Sequence, residues 1–353
     1  MKVVIAIDSF KGCLTSAEAG AAAAEGVRSV CPDADIHQVL VSDGGEGFRA
    51  AFQAAIGGEV IEVPVLDPLR RPITAHYLLT PDSLAVIEMA EASGLTLLKP
   101  EERDPLNADT YGTGQLVADA VKRGARHIIV GLGGSATSDA GVGMIYALQD
   151  AFGTDVRWED IEVLKRVRFT IATDVKNPLF GEQGAAHVFG PQKGATPEMV
   201  ETLDRRAKAF AEYSALYFDA DHSSDEGAGA AGGLGYAFLQ YLGADCQPGI
   251  DLLLQTIGFE ALTSDADLVI TGEGAADRQT LMGKLPVGIL HHAGKAPVCL
   301  IAGRISCREA LLQVGFHEVA CINPPGTPLE EAMRPEVAQR HIQETVVRML
   351  TTN

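Results

Sequence analysis

Apolar positions cluster differently at the ends of the chain and in its middle. Short β-branched runs at residues 3–7, 36–41, 268–271, 298–302 and 319–322 read as buried strands. The stretches between them carry helical spacing, which is the signature of largely parallel α/β organisation. After the first run, Thr15-Ser16-Ala17-Glu18 has capping-box spacing and opens an Ala-rich helix that Cys31-Pro32 stops near residue 30. Further helical patterns cover 281–293 and 307–314.

In the middle, runs at 60–65, 73–79 and 84–89 lie close together. They are separated by Asp67-Pro68-Leu69-Arg70-Arg71-Pro72 and Pro81-Asp82-Ser83, turn material that predicts antiparallel pairing. A helix over 114–123 and strands at 127–131 and 169–173 follow. The pattern predicts an α/β protein of two domains, as 353 residues at roughly 150 per domain would give. A discontinuous, flavodoxin-like doubly wound parallel sheet takes residues 1–62 and 263–353, and a mixed α/β domain over 63–262 is inserted into it.

Composition narrows the partners. Lys and Arg total 28 against 47 for Asp and Glu, a formal net charge of −19, which opposes nucleic acid and anionic membrane surfaces. A small anionic substrate then needs local donors or a bridging metal. No apolar run approaches the roughly 18 residues of a membrane span, and residues 1–8 lack a signal-peptide apolar region. The six cysteines form no C-x-x-C pair, so a reducing, cytoplasmic setting is expected. Whether the chain is a monomer or a homodimer stays open.

Glycine, 38 of 353 residues, is concentrated in five stretches at expected strand ends or helix starts. These are Asp43-Gly44-Gly45-Glu46-Gly47, Gly112-Thr113-Gly114, GLGGSATSDAGVG over 131–143, GAGAAGGLG over 227–235 and Thr271-Gly272-Glu273-Gly274. One such stretch is ordinarily a tight turn. Five together point to a phosphate-handling site, because exposed backbone N–H groups and helix N-termini attract anions. No G-x-x-x-x-G-K-[ST] is present, and the G-x-G-x-x-G at 227–232 follows a polar run rather than the strand a dinucleotide site requires.

Acidic and basic residues sit in or beside these loops: Asp8 and Lys11, Asp43 and Glu46, Asp139, Asp174, Lys193, Glu273, Asp277 and Lys284. Taken singly, each reads as a cap or a solvated charge. Together they supply what phosphoryl transfer needs, carboxylates for a metal and for the hydroxyl proton, and lysines for the phosphoryl charge.

These residues resemble the class I glycerate kinase family, and the resemblance runs nearly end to end. It is carried by Ile7-Asp8-Ser9-Phe10-Lys11, the 43–47 loop, Arg103-Asp104-Pro105-Leu106, Gly133-Gly134-Ser135-Ala136-Thr137, Thr173-Asp174-Val175 and Phe189-Gly190-Pro191-Gln192-Lys193-Gly194. The 227–233 and 271–274 blocks, Asp277 with Gln279, and Gly283-Lys284 with Pro286 continue it. The resemblance implies transfer from ATP with Mg²⁺ to D-glycerate, giving 2-phosphoglycerate, in a cleft between two domains. Lys11 and Lys193 are then expected to neutralise phosphate or carboxylate. Asp174 and Asp277 are the candidates for metal ligand or general base, with Asp8 and Asp43 next. Substrate or phosphate contacts are expected from Ser9, Gly44, Gly45, Glu46, Gly133, Gly134, Ser135, Gly229, Gly232, Gly272, Glu273 and Lys284, and from Arg71 for the glycerate carboxylate.

The chain departs from the family pattern at a few positions. Ala275 stands where the family carries Arg, and Arg304 is the candidate replacement charge. Two alternatives remain beside this reading: a kinase for another small hydroxy acid, and a non-catalytic sensor of a phosphorylated metabolite.

Overall fold

The computed structural model describes residues 1–10, 12–42, 44–45, 47–153 and 156–351, without the side chain of Met282. Lys11, Asp43 and Glu46 lie outside the described residues. Eleven strands occur among those described: β1 (Lys2–Ile7), β2 (Asp35–Gln38), β3 (Glu59–Leu66), β4 (Pro72–Leu79), β5 (Leu84–Glu88), β6 (His127–Gly131), β7 (Arg168–Ala172), β8 (Asp245–Gln247), β9 (Leu268–Ala276), β10 (Val298–Ile305) and β11 (Glu318–Cys321).

The chain forms two compact units. The first comprises Met1–Asp43, Ala50–Ile56 and Ile250–Asn353; the second comprises Gly44–Arg49 and Gly57–Gly249. Boundaries at 62/63 and 262/263 would cut β3 and the helix Phe259–Thr263, which each stay whole.

The first unit is built on a five-stranded sheet of order β2-β1-β9-β10-β11, with every neighbouring pair parallel. This is the flavodoxin-like 2-1-3-4-5 order once the inserted strands are skipped. The helix Ser16–Val30 begins as expected: Thr15 Oγ1 accepts from the Glu18 N–H at 3.2 Å, and Glu18 Oε2 accepts from the Thr15 N–H at 2.9 Å. Such a cap contributes about 1 kcal/mol. Ala19, Ala22, Ala23 and Val27 bury that helix against Val3, Ile5 and Ile7, and Ala338, Ile342 and Val346 of the helix Pro335–Thr351 close the same core.

The second unit has a six-stranded sheet of order β3-β4-β5-β6-β7-β8. The pairs β3/β4 and β4/β5 are antiparallel, and β5 through β8 run parallel. Alternation shows in β3, where Ile61, Val63 and Val65 are buried and Glu59, Glu62 and Pro64 exposed. The core combines these residues with Tyr77, Ile87, Leu116 and Phe169. No described helix is long and apolar enough to cross a membrane.

Candidate functional site

In the second unit, loops gather at the carboxyl ends of β6 and β7. Gly133 donates its N–H to the carbonyl of Gly44 at 3.0 Å, and Leu132 donates to the carbonyl of Ala172 at 3.2 Å. Gly44, at φ +102°, admits no Cβ, which would stand 2.7 Å from that Ala172 oxygen. The 227–235 loop packs on the same structure. A Cβ at Gly232, at φ +67°, would collide with the carbonyl of Thr137. Gly229 donates its N–H to Asn177 at 2.9 Å. The N–H groups of Gly133 and Gly229 are engaged inside the fold, and both glycines allow close backbone approach, since a Cβ would stand 2.5 Å from Gly45 Cα at the first and 2.4 Å from the Pro178 carbonyl at the second.

Lys193 is the main charged feature of this unit. It ends the short 3-10 turn Pro191–Lys193, is 2% exposed, and donates from Nζ to Ser135 Oγ at 2.7 Å and to the Thr137 carbonyl at 2.6 Å. Burial pushes its amine down to about 7, with Asp139 partly opposing the shift. Asp139 is held by Thr110 Oγ1 at 2.8 Å and by the N–H groups of Thr110, Gly141 and Gly143. Burial raises its carboxyl above the usual range, and these hydrogen bonds pull the other way. Thr137 Oγ1 and Ser138 Oγ are buried with no hydrogen-bond partner among the described residues.

Arg103 opens the Arg103-Asp104-Pro105-Leu106 motif. It packs against Gly194, where a Cβ would come within 3.1 Å of it, and its Nε is buried without a partner among the described residues. Gly134 lies exposed on the loop beside half-buried Ser135. Asp174 is exposed just past β7. Arg71 is otherwise employed: Nε donates to Asp67 at 2.5 Å and Nη1 to Glu102 at 2.7 Å, so it clamps the turn between β3 and β4. Those two carboxylates already hold the guanidinium intended for a substrate carboxylate.

The first unit brings a second set together. Asp8, Ser9, Glu273, Asp277, Lys284 and Arg304 line one cavity of about 490 Å³. Asp8 leaves β1 with its N–H on the Gly272 carbonyl at 2.9 Å, and its carboxylate accepts from the Ser9 N–H at 2.7 Å. Gly272 permits close packing of β9 on β10, since a Cβ there would stand 2.5 Å from the Ile301 carbonyl. Buried Thr280 donates from Oγ1 to Glu273 Oε1 at 2.6 Å and accepts from the Asp277 N–H at 3.0 Å. Asp277 Oδ1 accepts from the Gln279 N–H at 2.8 Å, which leaves Oδ2 without a hydrogen bond among the described residues. Lys284 donates to Gln279 Oε1 at 2.8 Å. Asp174 and Asp277, paired in expectation as metal ligands, belong to different units.

Comparison with known proteins agrees with the fold. The model of the glycerate kinase family matches residues 3–352. The glycerate kinase of Bacillus subtilis (strain 168) is 43% identical, covering 98% of this chain and 96% of that protein. The glycerate 2-kinase of Escherichia coli (strain K12) is 39% identical, covering 95% and 93%. A crystal structure from Salmonella typhimurium LT2, provisionally described as a glycerate kinase 2, superposes with a TM-score of 0.82 at 39% identity, covering 100% of this chain and 98% of that one. The fold is thus that of an α/β kinase. The chain belongs to the glycerate kinase family.

Proposed function

We propose that the protein transfers the γ-phosphoryl group of ATP to the 2-hydroxyl of D-glycerate, giving ADP and 2-phosphoglycerate. The names of the relatives supply glycerate as acceptor and, for the E. coli protein, the 2-position. The observation that carries the reading is the Lys193–Ser135 pair. Because Lys193 Nζ donates to Ser135 Oγ, the hydroxyl proton of Ser135 is left to donate outward to an anion. The buried Lys193 amine behind it, when protonated, adds local positive charge in a chain of net −19.

In the reaction an oxygen of glycerate attacks the γ-phosphorus as the bond to the β-phosphate oxygen breaks. The hydroxyl proton passes to a base, for which Asp8, Asp174 and Asp277 are the described candidates. Mg²⁺ keeps waters and phosphate oxygens, so one or two protein carboxylates suffice to hold it. No cluster of three or more metal-binding side chains occurs among the described residues. Asp277, with Oδ2 unengaged, fits an ion shared with phosphates rather than a dedicated protein cage. Such an ion supplies neutralisation of phosphate charge.

The test is coupled ADP release from MgATP and D-glycerate, with phosphorus NMR of the product and L-glycerate as control. Glycerate-dependent ADP and a 2-phosphorylated product support the reading. Turnover only with another hydroxy acid, or a 3-phosphorylated product, overturns it.

A further inference from the structure

We infer that the cavity of the first unit is the nucleotide site, with its apolar side chains taking the base and Arg304 and Lys284 taking the phosphates. The inference rests on the proposed use of ATP and assigns that donor a place. Its position is the first argument. The chain runs from β1 outward to β2 and then returns to β9 on the other side of β1, so the order of the parallel sheet reverses between β1 and β9. Ligands of open α/β sheets bind outside the carboxyl ends of the strands at such a reversal. Asp8, just past β1, and Glu273, near the end of β9, both line the cavity there.

Shape and chemistry give the second argument. At about 490 Å³ the cavity falls within the roughly 300–1,000 Å³ usual for small-molecule sites. Its lining includes the apolar side chains of Phe10, Ile322, Leu329 and Met333 beside the charged ones. Glycerate is small and polar throughout, so it would leave those apolar side chains without a partner; a nucleotide carries both an apolar base and anionic oxygens.

Arg304 is the third. In the parallel ladder it lies opposite Ala275, and both residues line the cavity. Cross-strand partners project from the same face, and the small Ala275 side chain leaves the space beside it to the guanidinium. No hydrogen bond or ion pair engages that guanidinium among the described residues. Its planar donors suit phosphate oxygens.

The experiment is isothermal titration of the full chain with ADP, adenosine and D-glycerate, on wild type, Arg304→Ser and Leu329→Asp. Leu329 is 78% exposed, so its replacement leaves the core untouched. Arg304→Ser is expected to weaken ADP by about tenfold or more while sparing adenosine, because only phosphate contacts are lost. Leu329→Asp is expected to weaken ADP and adenosine alike. ADP affinity unchanged in both variants overturns the assignment, as does a loss confined to D-glycerate. A chain that binds ADP with the expected sensitivities yet phosphorylates no glycerate overturns the proposed function and leaves the site standing. Normal turnover with ADP binding indifferent to both variants does the reverse.

Discussion

Lys193 Nζ donates to Ser135 Oγ at 2.7 Å from a position only 2% exposed, so a buried amine stands behind a half-buried hydroxyl. Replacing Ser135 by Ala removes the outward donor but keeps the fold, and kcat/KM for glycerate phosphorylation is expected to fall by about a hundredfold, as for the loss of one donor to a reacting anion. Steady-state kinetics of Ser135→Ala measure this. An unchanged kcat/KM would discard Ser135 as a contact.

The same lysine makes stability depend on pH. Its folded pKa near 7 lies below the roughly 10.4 of an unfolded lysine. Between those values the unfolded chain binds the extra proton, so stability rises with pH across the window. Below about 7 both states are protonated, and the whole cost of burying the charge is present. Lys193→Met is therefore expected to raise the melting temperature more at about pH 6 than at about pH 9. Thermal melts at both values decide it; an equal shift at the two would contradict the depressed pKa.

Thr280 joins Glu273 to the Asp277 turn through one hydroxyl. Thr280→Val leaves a buried carboxylate short of a donor and is expected to cost about 1.5–3 kcal/mol in chemical denaturation, with Thr280→Ser restoring most of it. Equal stabilities for the Val and Ser variants would show that the hydroxyl carries nothing.

Gly232 combines a positive φ with contact on the Thr137 carbonyl, the same carbonyl that receives Lys193. Gly232→Ala is expected to destabilise the protein by more than about 1 kcal/mol and to lower activity by displacing that carbonyl. Denaturant melts and kinetics on one preparation test both halves.

Metal removal should abolish turnover, and Mg²⁺ should restore it. If Asp277 helps hold the ion, Asp277→Asn is expected to raise the Mg²⁺ concentration needed for half-maximal rate. A titration curve superposable on that of the wild type would move the metal elsewhere.

Much of the fold was legible because it depends on period and punctuation. Alternation exposed β3, and Thr15 with Glu18 placed the first helix start. The helix Pro197–Phe218 was not legible, since its buried stripe of Val200, Leu203, Ala207, Ala211 and Ser214 is too narrow and too small to stand out. The second strand was expected to reach residue 41 but ends at Gln38. The helix expected from 281 starts at Leu285, because Gly283 at φ +101° turns the chain first. Of the site, the glycine loops were visible as motifs. That Gly229 spends its N–H on Asn177, or that Asp67 and Glu102 hold Arg71, depends on partners distant along the chain.

The sequence by itself determined the α/β class, the interrupted doubly wound sheet, the family and the charged residues that accompany the glycines, because these follow from local periodicity and ordered motifs. Only the tertiary structure decided which of those residues come together within a unit. Burial of Lys193 behind Ser135, membership of Asp174 and Asp277 in different units, and alignment of Arg304 with Ala275 across two strands arise from long-range packing and strand register. Those relations set pKa and free donors, and hence chemistry, through contacts that no local stretch of sequence encodes.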